Sequence, residues 1–402
     1  MRHGPEVVLD LSRLLSRVLR TTPTGVDRVE FHYARYLLER IPDRLAFAAR
    51  TPYGAYGRLS KGAVRQFLDQ AAALWRQGGG RNPAAARSAA ARQLAGLIPR
   101  PVPAPGRPRI FLQVSPQQLE RAGRLERVLK REQARLVCLV HDVIPITHPE
   151  YARPNGALLH AQRMEAVARH AAGIIVNSAA TGRELQTVLD RSAADMPAVL
   201  VAHLGTEAGN GGSVPPVVPT DRPYFLCVGT IEPRKNHLLL LNIWRRLGTE
   251  MHEPPRLVLV GRRGWENEQV VDMLERCPAI QGLVLEHNAM SDEQMQSLVR
   301  GARALLMPSF VEGFGMPVTE ALAAGTPVIA SDIPALHEVG MGVPEFLDPL
   351  DGVAWAAAIR DYADPNSVRR RNQLDRLADW QPTSWSTHID MVLAFIDALP
   401  GQ

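Results

Sequence analysis

Cysteine is scarce. The 402 residues hold three. Cys138 and Cys227 lie in apolar runs that read as strands, and Cys277 ends a run that reads as a helix. Free buried thiols suit these settings better than bridges, which excludes a disulfide-built secreted scaffold and points to a cytosolic compartment. Long apolar runs are also missing: none reaches the ~18–20 residues that a membrane span requires. The opening MRHGPEVVLDLS lacks the apolar core and small-residue cleavage site of a signal peptide, and is expected to begin the first β-strand. No G-x-G-x-x-G follows a strand-like run, which argues against a nicotinamide enzyme, and no G-x-x-x-x-G-K-[ST] is present for a P-loop nucleotidase. Clustered Cys/His metal spacing and an Asp-x-Asp pair are absent too.

What is present fits a globular chain, 46% hydrophobic and 22% charged, long enough for two or three domains. The formal net charge of +5 is uneven. Residues 76–135 hold thirteen Lys and Arg against three Glu, about +10, leaving about −5 for the rest. Such a block suits an anionic lipid surface or a diphosphate-linked acceptor, or is simply a solvated face. Aromatics are sparse there and no recognition motif appears, so nucleic acid is not an expected partner.

The sequence is organised around residues 308–339, PSFVEGFGMPVTEALAAGTPVIASDIPALHEV. The apolar run 304–307 reads as a buried strand, and Glu312-Gly-Phe-Gly315 as a glycine-broken turn. Pro317 suits the start of a short helix over 318–324, which Gly325 stops before a strand at 327–330. A loop at the carboxyl end of a parallel strand is where open α/β sheets bind ligands. Glycines let backbone amides approach a ligand closely, and a helix N-terminus attracts anions such as phosphate. Glu312 in the loop and Glu320, expected in the first helical turn, are carboxylates able to accept hydrogen bonds from sugar hydroxyls, a ribose diol among them. The alternative for Glu320 is ordinary stabilisation of the helix dipole.

The motif P-S-x-x-E-G-F-G-x-P-x-x-E-A-x-A-x-G-x-P-V-I-A-S resembles the nucleotide-sugar site of the retaining family-4 glycosyltransferases of GT-B fold. The resemblance covers nearly all of residues 200–400 and is looser before that. It implies an α/β protein of two doubly wound, Rossmann-like domains facing across a cleft. The expected domains are 1–206, 207–382, and a last helix in 383–402 returning to the first domain. The Gly/Pro-rich run 209–219 marks the boundary.

Other strings take roles within that resemblance. Thr21-Thr-Pro-Thr-Gly25 is a turn before an amphipathic helix over 26–38, and resembles the family's N-terminal glycine loop. Gly25 would face a phosphate there, and Asp27 stands where many members carry a second glycine. Strands are expected at 45–49, 110–114 and 136–140, and a Pro/Gly/Ala/Arg-rich connector with a helix at 84–97 lies between the first two. His141-Asp-Val-Ile-Pro145 follows the third. A His at that place points into the cleft or is structural. The family's H-D-x-x-P implies that His141 meets the donor sugar, while Asp142 orients it, contacts the acceptor or caps a helix. Arg234 and Lys235, between a strand at 224–228 and a helix at 237–247, are placed to neutralise a diphosphate, though exposed loop cations are often just solvated. The string G-T-x-E-P-R-K-N resembles the family's diphosphate loop and carries that role to both. Strands at 257–260 and 283–285 follow. The segment after the second packs on the nucleotide base in relatives, which implies a base pocket of His287, Asn288, Ala289 and Met290. Ser291 and Gln294 form an expected capping box.

The resemblance implies transfer of a hexose from a nucleoside diphosphate to an acceptor hydroxyl with retained configuration, and no metal or other cofactor. Glu320 would bind ribose, and Glu312 with the amides of Phe314 and Gly315 would hold sugar hydroxyls. The combination T-G-V-D-R-V, H-D-V-I-P and E-P-R-K-N looks most like the mannosyltransferase-like branch of bacterial surface-polysaccharide synthesis. That implies GDP-mannose as donor and a saccharide or lipid-linked saccharide as acceptor, in the cytoplasm or peripheral on the inner face of the membrane. The alternatives are a UDP-sugar-dependent transferase or epimerase of the same fold, and a catalytically silent protein that binds nucleotide or a partner.

Overall fold

The computed structural model describes residues 4–17, 22–51, 54–77, 96–190, 197–207, 218, 221–288 and 290–400. Thr21, the connector 78–95 with all but the end of the helix expected at 84–97, nearly all of the boundary run 209–219, and Ala289 lie outside the described residues. The chain divides into two compact units, Met1–Gly205 with Thr383–Gln402, and Thr206–Pro382.

In the first unit the short apolar runs VVL, IFL and LVCLV become central strands buried on both faces, as a helix-covered parallel sheet requires. Its strands are β1 (Glu6–Asp10), β2 (Leu45–Arg50), β3 (Tyr56–Leu59), β4 (Arg109–Gln113), β5 (Ala134–Val140), β6 (Ala171–Val176) and β7 (Ala198–Val201). They lie in the order β3-β2-β1-β4-β5-β6-β7. All pairs are parallel except β2 with β3. Strand order therefore reverses between β1 and β4. The edge strand β3 and the helices Lys61–Gln77 and Ala122–Glu132 add to the elements expected from sequence.

Part of the basic window faces inward rather than outward. The Arg109 side chain is 2% exposed and binds Glu6 at 2.5 Å, with Glu132 at 3.7 Å. Arg58 joins them, 2.6 Å from fully buried Glu132. Tyr56 donates its hydroxyl to the same carboxylate at 2.7 Å. The helix Trp385–Ala398 belongs to this unit. Its Trp385 stacks on His32 at 4.5 Å, and its Asp397 accepts both terminal nitrogens of Arg44 at 2.7 and 2.8 Å.

The second unit has β8 (Tyr224–Val228), β9 (Arg256–Val260), β10 (Val284–His287), β11 (Leu305–Met307), β12 (Val328–Ser331) and β13 (Glu345–Leu347). They are all parallel, in the order β10-β9-β8-β11-β12-β13. Its core is built on Phe225, Trp244, Trp355 and Tyr362. The Trp244 indole stays satisfied by donating to the Pro255 carbonyl at 2.8 Å. Ser291 caps the helix Asp292–Gly301 as the sequence predicts: it accepts from Gln294 N at 3.1 Å, and the Gln294 side chain accepts from Ser291 N at 3.1 Å. Strand order reverses between β8 and β11, so the loops that leave those two strands diverge at one crevice.

Among the described residues, no helix is long and apolar enough to cross a membrane, and no group of His, Cys, Asp and Glu is arranged to hold a metal ion.

Candidate active site

The loops after β8 and β11 are laced together. Phe310 N donates to the Arg234 carbonyl at 2.8 Å, and the Arg234 guanidinium donates to the Val311 carbonyl at 3.1 Å. Between them sits a quartet of charges. Arg234 lies 2.6 Å from Glu232 and 2.7 Å from Glu312, and Lys235 lies 2.5 Å from the other oxygen of Glu312. Arg234 keeps 22% of its side chain exposed, Lys235 10% and Glu312 7%. The two cations are thus held in place by fixed carboxylates while still reaching the surface of the crevice. Burial pushes the Glu312 carboxyl up, but the charges of Arg234 and Lys235 outweigh it and hold the group down to about 2. Glu232 goes the other way: its burial outweighs the same two cations, and Glu312 adds to the upward shift. Sequence reading did not single out Glu232. Its signal was its place two residues before Arg234 in the same string.

Glycines permit the close approach of these loops. A Cβ on Gly261, at the end of β9, would sit 1.7 Å from the Gly229 carbonyl oxygen. Gly315 has φ +101°, a left-handed conformation that suits glycine, and forms the N-cap of the helix Met316–Ala323. That helix starts two residues earlier than the sequence predicts, with Pro317 at its second position. Glu320 is consequently its fifth residue, not a first-turn residue. It is exposed. The dipole role weighed for it falls away, because that effect fades beyond the first turn. Phe314 is buried, 5% exposed.

The segment expected to hold the base is also re-drawn. His287 is the last residue of β10, paired in register with Val260, rather than part of the following loop. Its Nε2 is buried without a hydrogen-bond partner, and burial lowers its pKa. Asn288 is exposed and Met290 half-buried, and Ala289 lies outside the described residues. The structure thus brings Arg234, Lys235 and Glu312 into direct contact at the β8/β11 crevice, with Phe314 and Gly315 on the same loop.

Two candidates belong to the first unit. Gly25 is exposed as the first residue of the helix Gly25–Arg40, whose N-cap Thr24 forms a capping box with Asp27. Asp27, in the place where glycine was noted, is buried and neutralised by Arg13 at 2.9 Å and Arg17 at 3.6 Å. His141 follows β5. Its Nε2 lies 2.8 Å from the Val114 carbonyl. A carbonyl only accepts, so Nε2 carries the proton. Burial lowers the pKa and keeps the ring neutral, which leaves Nδ1 an acceptor. Asp142 is not the cap of the helix Ile144–Thr147, whose N-cap is Val143; its carboxylate closes a local turn by accepting from Ile144 N at 3.2 Å. Its carbonyl also lies 3.0 Å from His160 Nε2.

The family model of the glycosyl transferases group 1 matches residues 214–363. The chain is 35% identical over 162 residues to O-antigen chain mannosyltransferase B of Escherichia coli, covering 40% of this chain and 42% of that protein. It is 28% identical over 269 residues to the serotype-specific mannosyltransferase WbdA of Escherichia coli, covering 63% of this chain and 32% of that one. The chain thus spans less than half the length of these curated relatives. Among solved structures, a sucrose-phosphate synthase from Thermosynechococcus elongatus superposes with a TM-score of 0.65 at 17% identity, covering 97% of this chain and 98% of that one. At that identity the likeness speaks for the fold. Residues 214–363, with the β8/β11 crevice and its charge quartet, are a domain of the glycosyl transferases group 1 family, carried in a chain of GT-B fold.

Proposed function

We propose that the chain moves a hexose from a nucleoside diphosphate to a saccharide hydroxyl with retained anomeric configuration. The donor is GDP-mannose, and the acceptor a saccharide or lipid-linked saccharide of a bacterial surface polysaccharide. The observation that carries this reading is the convergence of Arg234 and Lys235 on Glu312 at the strand-order reversal of the second unit. Two cations pre-positioned by a buried carboxylate suit a group that gains negative charge as it leaves. Two of the matched relatives are named mannosyltransferases, which favours mannose.

In this reading the C1–O bond to the diphosphate breaks as the acceptor oxygen bonds to C1. The acceptor proton passes to the departing phosphate, so no separate base is required. Arg234 and Lys235 take the charge that develops on the diphosphate, and no metal ion is needed for that. Glu320 binds the ribose hydroxyls, and Glu312 with the amides of Phe314 and Gly315 faces the sugar. The orphaned Nε2 of His287 supports a base pocket with Asn288, Ala289 and Met290, because a buried nitrogen without a partner has hydrogen-bonding capacity to offer. His141 offers Nδ1 to a sugar hydroxyl, and Gly25 its exposed amide to phosphate. The acceptor would bring the protein to the cytoplasmic face of the membrane, where the outward-facing bases of the stretch 76–135 meet anionic lipid.

A thermal-shift panel of GDP, UDP, ADP, GDP-mannose and UDP-glucose, each with magnesium and with EDTA, tests this. A ligand at 100 times its Kd adds roughly 2.7 kcal/mol of stability. Stabilisation by the GDP compounds in EDTA, with mannose transfer to an oligosaccharide, is expected. Response to UDP compounds alone would replace the donor, and nucleotide binding without turnover of any sugar would leave a silent binding protein.

A further inference from the structure

The first unit has its own strand-order reversal, between β1 and β4, and a cavity opens there. Its enclosed space is only ≈ 20 Å³, about the room one water needs, and the rest of its ≈ 330 Å³ is open mouth, which suits a small polar group seated there with the remainder of the ligand outside. Asp10 and Gln113, the last residues of β1 and β4, line it with Ser12, Arg50, Gln118 and Arg124 over an apolar floor. This is the crevice that the reversal rule marks for a ligand, in the unit that does not carry the charge quartet.

The polar groups there are unevenly satisfied. Asp10 is 8% exposed and accepts from the Ser12 hydroxyl at 2.6 Å. Gln113 donates to the Ser115 and Gln117 carbonyls at 3.2 and 2.7 Å, which orients its amide nitrogen and leaves its oxygen for another donor. By contrast, the guanidinium groups of Arg50 and Arg124 make no hydrogen bond or ion pair with a described residue. Burial lowers the pKa of Arg50, and the positive charges of Arg124 and Arg127 add to that against the opposing Asp10. Two arginines that repel each other beside a cavity are relieved by an anion between them. Gln118 is held at φ +72°, a conformation that costs a non-glycine residue and places it at the cavity wall.

We propose that this cavity binds the oxyanion of a charged sugar, a phosphate or a uronate carboxylate, with Arg50 and Arg124 on the anion and Asp10 and Gln113 accepting from hydroxyls. If the chain is a transferase, this cavity selects an anionic acceptor. The site itself does not depend on that reading, because its residues all lie outside the β8/β11 crevice.

The test titrates the full-length protein with inorganic phosphate, mannose 6-phosphate, glucuronate and uncharged mannose by calorimetry. The same titrations are run on Arg50→Gln, Arg124→Gln and Lys235→Ala. Phosphate or glucuronate should bind and mannose should not. Each Arg variant should lose about ten-fold or more in affinity, the size of one charge-assisted bond, while Lys235→Ala keeps it. A phosphate-only response identifies a phosphosugar, and a glucuronate response a uronic acid. Circular dichroism verifies folding, and Arg124→Gln on the half-exposed helix face keeps the test open if Arg50→Gln does not fold. Loss of anion binding in Lys235→Ala alone, or no binding of any anion by the wild-type chain, overturns the proposal. Absence of nucleotide binding in the wild-type chain, with the anion site intact, would instead count against the donor reading.

Discussion

Lys235 Nζ stands 2.5 Å from Glu312 Oε1, across 77 residues of sequence. The pair exists because β8 and β11 are neighbours, so the loops leaving them share one crevice. Arg234 holds the second oxygen of the same carboxylate. Glu312 therefore titrates far below its unfolded value of 4.5, at about 2. A depressed carboxyl contributes stability that is fully present above its unfolded pKa and is lost as pH falls through its folded pKa. The window is pH 4.5 down to about 2, and the full linkage is roughly 3 kcal/mol. Acid unfolding followed by circular dichroism should show this slope in the wild type. Glu312→Gln should lack it and be less stable at pH 7, with two cations left short of a partner.

His141 is held neutral by burial, with Nε2–H committed to the Val114 carbonyl. Burial moves the ring's titration to the acid side of the usual imidazole value of 6.5. Any step that His141 adds to the transfer rate should therefore lie below pH 6.5. His141→Ala should lower kcat by about ten-fold or more through a lost acceptor for a sugar hydroxyl, while GDP affinity stays within about two-fold. A rate step at or above pH 6.5 that vanishes in His141→Ala would show instead that burial does not shift the ring.

Glu132 has no exposed surface and serves Arg58, Arg109 and Tyr56 together. Glu132→Gln keeps the shape and removes the charge, so two nearly buried guanidinium groups must share Glu6, whose own side chain is 22% exposed. Breaking a buried pair from one side costs about 3–5 kcal/mol. Urea unfolding of Glu132→Gln should fall by that order. A change below about 1 kcal/mol would mean that water reaches Arg58 and Arg109 after the substitution.

These cases divide what the sequence could show from what it could not. Strands such as β5 and β8 were legible because residues buried on both faces appear as unbroken apolar runs. The cap at Ser291 was legible because its chemistry is local, within three residues. Arg234, Lys235 and Glu312 stood out singly in two recognisable strings. Their mutual contact, and the part of Glu232, depend on strand adjacency that no local pattern encodes. The inward turn of Arg109 was hidden for the same reason, since its partners Glu6 and Glu132 come from distant segments. The helix Ala122–Glu132 was masked by its charge, with only Leu125 and Val128 as buried apolar positions. The helix holding Glu320 was mis-phased because Gly315, rather than Pro317, sets its start through a left-handed turn.

That shift of phase gives a sharp test of Glu320. As a first-turn residue its removal would cost dipole stabilisation, about 0.3–1 kcal/mol. As the exposed fifth residue of Met316–Ala323 it makes no such contribution, and a surface substitution to alanine is expected within about ±0.5 kcal/mol of the wild type. Alanine is also the better helix former, which works in the same direction. If Glu320 binds the ribose diol, Glu320→Ala should weaken GDP binding by about ten-fold, the loss of charge-assisted hydrogen bonds worth ~1.5–3 kcal/mol. The affinity of inorganic pyrophosphate, which lacks a ribose, should not change. Measuring both ligands by calorimetry separates the two contacts. Equal loss for GDP and pyrophosphate would place Glu320 with the phosphate-binding residues, and no loss for either would remove it from the site.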